Sequence, residues 1–115
     1  MNGIILGGAT FIGHSINKAL QEKYQDINIT VLDLIRPSYF LYKTPHDKYI
    51  DIRDIKGNQI NNSFSFVIIN FYDLLDSKTL KISRDKNNLL IHTVNILLDL
   101  IITNKAQLIL IVNKH

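Results

Sequence analysis

Residues 3–13, Gly-Ile-Ile-Leu-Gly-Gly-Ala-Thr-Phe-Ile-Gly, decide the fold of this chain. Residues 3–6 are apolar and end at two glycines, which predicts a short buried strand. From residue 11 to residue 24, apolar side chains recur at every fourth position, which predicts a helix with one face on a sheet. The residues with that spacing are Ile12, Ile16, Leu20 and Tyr24. The chain therefore begins with a strand, a glycine turn and a helix.

The remaining sequence repeats this alternation of strands and helices. Further apolar runs predict strands at residues 27–32, 49–52, 64–70 and 108–112. Residues 89–104 predict a second long helix, and residues 36–48, which hold both prolines, predict a loop. Residues 54–62 are a polar helix or turn, and residues 73–88 are polar and poorly periodic. Alternating elements favour an α/β fold with a doubly wound parallel sheet, and right-handed crossovers give the strand order 3-2-1-4-5.

Length and composition limit the function classes. The 115 residues fit a single domain, and 46% hydrophobic with 20% charged residues is typical of a globular protein. The net charge of +3 is spread without a basic run, so it permits an anionic ligand but does not favour nucleic acid. The absence of cysteine excludes disulfides and thiolate metal sites, and the four histidines have no metal-ligand spacing. Residues 89–103 are very apolar but too short and too polar to cross a membrane. The amino terminus has no basic residue before its apolar run and is a poor signal peptide, and the lack of cysteine suits the cytosol, so we expect a cytoplasmic protein.

The glycine turn carries the strongest functional signal. Glycine at Gly7 permits a tight turn, and glycine at Gly13 lets the helix approach the strand closely. The amino end of the following helix offers N–H groups and a positive dipole to a phosphate. Thr10 occupies the position where backbone approaches a pyrophosphate; its Cβ crowds that approach, while its hydroxyl can donate to a phosphate oxygen. The pattern predicts a dinucleotide-binding turn.

An acidic residue stands where such a site needs one. Asp33 follows the second predicted strand, and a carboxylate there accepts hydrogen bonds from the adenosine ribose diol. It also repels a 2′-phosphate, which favours NAD over NADP. Arg36 is close in sequence and can accommodate that phosphate. The alternative for Asp33 is a solvated loop acid.

These residues resemble the extended short-chain dehydrogenase/reductase family of NAD-dependent nucleotide-sugar epimerases and dehydratases, which have an NAD(P)-binding Rossmann-like fold. The family fingerprint, Gly-x-x-Gly-x-x-Gly, is commonly written Gly-Gly-Ala-Gly-Phe-Ile-Gly. The residues that match it are Gly7, Gly8, Ala9, Phe11, Ile12 and Gly13. Thr10 replaces the middle glycine, as a side chain does in some atypical members.

Two further segments resemble the same family. Residues 51–54, Asp-Ile-Arg-Asp, are similar to a family segment that lies against adenine, which implies that role for Asp51 and Ile52. Residues 92–97 are similar to part of the long helix that forms the dimer interface in many members. The resemblance spans the whole chain but only the first part of a typical member, without a substrate domain, so we expect a truncated protein.

The sequence departs from the family where catalysis takes place. Phe71 and Tyr72 stand where the fourth strand usually ends in small residues, so they either obstruct or stack on the nicotinamide half of a cofactor. The family's catalytic Tyr-x-x-x-Lys follows the fifth strand, which here runs directly into residues 113–115. Residues 39–43 fit that spacing but follow the second strand, where a chance match is expected. We identify no catalytic residues and expect no turnover by the chain alone.

The helix at residues 89–104 has more apolar surface than one sheet can cover. Its polar residues share one narrow stripe, formed by His92, Asn95, Asp99 and Thr103. Either a loop covers the remaining apolar face, or two copies of the chain pair through this helix. The strand at residues 108–112 adds an apolar sheet edge that invites pairing with another chain.

Three functions fit these observations. The chain is the NAD-binding part of an oxidoreductase whose catalytic residues lie elsewhere, and a nucleotide-sugar is a ligand only with a longer or partner chain. Alternatively, it is a non-catalytic nucleotide-sensing or regulatory module. The third alternative is a degenerate remnant that binds no ligand.

Overall fold

A five-stranded sheet organises the protein, with the order β3-β2-β1-β4-β5 and every neighbouring pair parallel. The computed structural model describes residues 1–9, 11–33, 48–55, 60, 63–74 and 84–112. The strands are β1 Asn2–Leu6, β2 Asn28–Asp33, β3 Lys48–Asp51, β4 Phe66–Asn70 and β5 Gln107–Ile111. The helices are α1 Phe11–Lys23, α2 Phe71–Leu74 and α3 Arg84–Asn104, with a 3-10 turn at Ile52–Asp54. The predicted doubly wound parallel fold and strand order are confirmed.

The central strands place three chain segments at one edge of the sheet. Leu6 of β1 lies opposite Leu32 of β2 and opposite Ile69 of β4. The glycine turn, Asp33 and Asn70 follow these residues, so all three lie at the carboxyl edge. After β1 the chain passes through α1 to β2, which pairs with one side of β1. Strand β4 pairs with the other side of β1. This reversal of strand order is where ligands bind in open α/β sheets.

Both faces of the central strands are covered, which explains why these strands are almost continuously apolar. The core on one face includes α3 residue Leu97 and alternate strand residues such as Leu6 and Ile69. On the other face, Ile16 and Leu20 of α1 pack against a core that includes Ile5 and Val31. Neighbouring residues of β1 thus serve opposite faces, as a strand period of two requires.

The bounds of several elements differ from those predicted. Helix α3 begins at Arg84, five residues before the predicted start at residue 89. The prediction missed these residues because they are polar and show no apolar periodicity. The structure also has the short helix α2, whose four residues are too few to show a period. Strand β3 stops at Asp51 because the Asp51 side chain caps the 3-10 turn that follows. Residue 64 was predicted to start the fourth strand, but β4 begins at Phe66.

The outer side of α3 has both polar and apolar residues. The predicted polar stripe is confirmed as exposed along its length, at His92, Asn95, Asp99 and Thr103. Beside it, Ile91, Leu98 and Ile102 are 59%, 38% and 75% exposed. Strand β5 is also exposed at residues 107–110. No helix in the described part of the chain is long and apolar enough to cross a membrane.

Candidate functional site

The glycine turn lies at the carboxyl edge, between β1 and α1. Gly7 has a φ angle of 79°, in the left-handed region where a side chain is strained. Its N–H donates to the carbonyl oxygen of Leu32 at 2.7 Å. The turn is therefore bonded to β2 immediately after β1 ends, and glycine is required at its first position.

Gly13 brings α1 into direct contact with this turn. A Cβ atom on Gly13 would overlap the carbonyl oxygen of Gly7 and lie 2.7 Å from the Cα of Gly8. Both obstacles are backbone atoms, so no side-chain movement can relieve the clash. The structure thus confirms the close packing predicted for Gly13. Thr10, at the middle position of the fingerprint, lies outside the described residues.

The first turn of α1 is suited to an anion. The helix begins at Phe11, and its first turn contains no acidic residue. The first N–H groups of a helix have no partner within it, and they carry the positive end of the helix dipole. The backbone of Phe11, Ile12 and Gly13 therefore forms the part of the site that can bind a phosphate. His14 follows in the same turn and is half-buried.

Asp33 lies directly beside the turn. It is only 2% exposed, and its Oδ2 atom accepts a hydrogen bond from the N–H of Ala9 at 2.9 Å. The alternative of a solvated loop acid is therefore wrong. The Tyr49 hydroxyl donates to the backbone carbonyl of Asp33 at 3.3 Å, which ties β3 to the same point. Asp33 holds the glycine turn in position and places a carboxylate next to it.

Asn70 is a residue of this site that sequence reasoning missed. It is the last residue of β4, has 0% exposure, and its Nδ2 atom donates to the carbonyl oxygen of Gly7 at 3.2 Å. A polar residue at the end of a fully apolar strand was the available signal. Its meaning depended on the register of β1 against β4, which the predicted strand order does not specify.

The residues predicted to lie against adenine follow β3. The Asp51 carboxylate accepts from the Arg53 N–H at 2.9 Å and from Arg53 Nε at 3.0 Å. The Ile52 side chain is fully buried in the core on the α3 face. Any contact between Ile52 and a ligand would therefore use its backbone. The adenine role of Asp51 and Ile52 stays a prediction.

The two aromatic residues after β4 have different surroundings. Phe71 opens α2 and packs partly against the core on the α3 face. Tyr72 is 42% exposed. Phe71 thus follows Asn70 at the carboxyl edge, and its predicted contact with a cofactor remains a prediction.

Other predicted residues fall outside the described part of the chain. These are Arg36 and the residues of the 39–43 segment. Among the residues that the structure describes, no three histidine, aspartate or glutamate side chains cluster as metal ligands would. The described site thus consists of the glycine turn, the start of α1, Asp33 and Asn70.

A solved structure has a similar fold. It is the crystal structure of dTDP-glucose 4,6-dehydratase from Bacillus anthracis in complex with NAD, with a TM-score of 0.60 and 18% sequence identity. The fold is Rossmann-like. The match covers 96% of this chain but 36% of the dehydratase chain, so this chain spans just over a third of the length of that protein. No protein-family model matches the sequence, and no curated protein matches it significantly.

Proposed function

We propose that this Rossmann-like chain binds NAD at the carboxyl edge of β1 and β2, as the cofactor-binding part of a nucleotide-sugar dehydratase or epimerase does. One observation carries the proposal: the amino end of α1 is packed, through Gly13, onto a turn that Asp33 also contacts. This arrangement puts phosphate donors and a carboxylate next to each other. The similar dehydratase structure, which holds NAD, supports the same ligand class.

Each part of the site would bind one part of the dinucleotide. The backbone N–H groups at the start of α1 would bind the pyrophosphate, because the dipole and unpaired donors favour an anion there. Asp33 would accept from the adenosine ribose diol, and its negative charge would disfavour the 2′-phosphate of NADP. Asp51 and Ile52 would border adenine, and Phe71 would lie towards the nicotinamide.

The proposal concerns binding of the dinucleotide. NAD supplies hydride chemistry when bound, and the protein must then provide an acid or base beside the reacting carbon. In the resembling family a Tyr-x-x-x-Lys pair after the fifth strand has that role, and this sequence includes residues 112–115 of that stretch. A nucleotide-sugar substrate would therefore require residues supplied by a longer or a partner chain.

Calorimetric titration with NAD, ADP-ribose and NADP tests this proposal. We expect saturable binding of ADP-ribose and NAD, weaker binding of NADP, and loss of binding in Gly7→Val, whose side chain is strained at a φ of 79°. The matched control is Lys18→Ala, an exposed change on α1 that should bind as the wild type does. Failure of both NAD and ADP-ribose to bind at millimolar concentration would contradict the proposal. Binding of ADP-ribose without NAD would show that Phe71 or Tyr72 obstructs the nicotinamide.

We also propose that two copies pair through α3. The exposed apolar residues Ile91, Leu98 and Ile102 lie along one side of the helix and support this pairing. Burying them against the same residues of a second copy would remove apolar surface from water.

A further inference from the structure

We infer that Asn70 is a positioning residue for the pyrophosphate: its side-chain amide holds the Gly7 peptide and thereby the start of α1. The inference rests on the proposed function, since it concerns how the same site recognises its ligand. It adds a residue from β4, whereas the fingerprint residues belong to the turn between β1 and α1.

The first step is the position of Asn70 in the sheet. The paired residues of β1 and β4 end with Leu6 and Ile69. Gly7 then turns away from the strand direction with its positive φ angle. The Asn70 side chain donates to the Gly7 carbonyl at 3.2 Å, so it continues the connection between the two strands beyond their last backbone pair.

The second step is the burial of this contact. Asn70 is completely inaccessible to solvent, while the neighbouring strand residues Val67, Ile68 and Ile69 are apolar and buried. A buried amide is costly unless it makes hydrogen bonds. A leucine of similar size would satisfy the core equally well, but it could not donate to a carbonyl. Asparagine at this position therefore contributes a donor to Gly7 that an apolar residue would lack.

The third step connects this bond to ligand recognition. The Gly7 carbonyl oxygen accepts from the Asn70 amide and also lies against Gly13 in the first turn of α1. The space beside that oxygen is too small even for a Cβ on Gly13. If the Gly7–Gly8 peptide rotated, its oxygen would press against α1 and displace the N–H groups that face the phosphate. The hydrogen bond from Asn70 to this oxygen opposes the rotation.

The test compares two substitutions of Asn70 with a remote control. Asn70→Leu keeps the approximate volume and removes the donor. Asn70→Asp keeps the shape, and its carboxyl can donate to Gly7 only when it is protonated. The control is Thr93→Val, because Thr93 is equally buried but bonds within α3, to the Leu89 carbonyl. For each protein, calorimetry gives the Kd for ADP-ribose between pH 5 and pH 8, and thermal unfolding gives the Tm.

We expect Asn70→Leu to bind ADP-ribose about tenfold more weakly at every pH, the effect of one hydrogen bond. Asn70→Asp should bind weakly at pH 8 and recover towards pH 5, since burial favours the protonated acid. Thr93→Val should retain wild-type affinity even if its Tm falls. The wild-type titration over the same range corrects for His14 and Asp33, the other titratable groups placed at the turn.

Two results would overturn the inference while leaving the proposed function intact. One is wild-type affinity in Asn70→Leu together with a lower Tm, which would make the bond purely structural. The other is an Asn70→Asp protein whose affinity for ADP-ribose does not recover on acidification. If Asn70→Leu does not fold, the pH dependence of Asn70→Asp alone tests the inference. Absence of ADP-ribose binding by the wild type would instead contradict the proposed function, and the inference with it.

Discussion

Substituting Gly13 by alanine inverts the usual effect of adding a methyl group to a helix. Elsewhere in a helix interior, replacing glycine with alanine stabilises by about 1 kcal/mol. Here the new Cβ would overlap the Gly7 carbonyl oxygen and approach the Gly8 Cα to 2.7 Å. Overpacking of this kind costs roughly 1–3 kcal/mol, and the upper end applies because the obstacles are backbone atoms. We therefore expect Gly13→Ala to lose about 2 kcal/mol of unfolding free energy.

Urea unfolding followed by circular dichroism measures this loss, and a thermal scan should show a Tm lower by about 10 °C for a domain of this size. Ala19→Gly is the matched control, because Ala19 is an exposed position of the same helix and should lose about 1 kcal/mol through helix propensity alone. ADP-ribose binding should weaken in Gly13→Ala and persist in Ala19→Gly. A Gly13→Ala protein more stable than the wild type would refute the close packing of α1 on the turn.

Other substitutions give three separate tests. Asp33→Ala should lose about 1–3 kcal/mol of unfolding free energy in urea, because the buried Ala9 N–H loses its acceptor. Asp33→Asn keeps an acceptor oxygen and should lose less. Equal losses in the two variants would contradict this role of Asp33. Asp51→Ala should lose about 1 kcal/mol of unfolding free energy, because it removes the cap of the 3-10 turn. Arg53→Ala should lose clearly less, because the Arg53 side chain is 60% exposed. The reverse order would contradict the capping role of Asp51. Ile102→Lys, at a position 75% exposed, should keep the circular dichroism spectrum of the folded protein and convert a dimer to a monomer in sedimentation equilibrium. A wild type that is already monomeric at high concentration would contradict pairing through α3.

The sequence was sufficient to predict the fold because its signals are local and agree with one another. The apolar run before Gly7 and the fourfold spacing after Phe11 predict a strand and a helix on either side of a turn. Continuous apolar runs then indicate strands buried on both faces, and right-handed connection leaves few strand orders. The start of α3 was missed because its polar first residues show no periodicity, although polar residues form helices readily.

The sequence predicted the geometry of the site only at positions where a single geometric requirement selects a single residue type. Gly7 and Gly13 are such cases, since a positive φ and a backbone contact each demand glycine. Asn70 is the opposite case, because its importance comes from the pairing of β4 with β1 across the sheet. The bond between Asp33 and Ala9 is equally non-local, so the sequence predicted a ligand for this carboxylate but not its contact with the turn.

Titration of the isotope-labelled protein with ADP-ribose, followed by amide NMR shifts, tests the central claim most directly. The account predicts saturable shifts at Gly7, Gly8, Ala9 and the first residues of α1, with little change in β5. A surface cleft at the opposite edge of the sheet, lined by residues that include Met1, Tyr24 and Asp26, provides an internal control. Shifts confined to that cleft, or none at millimolar ADP-ribose, would contradict dinucleotide binding at the glycine turn.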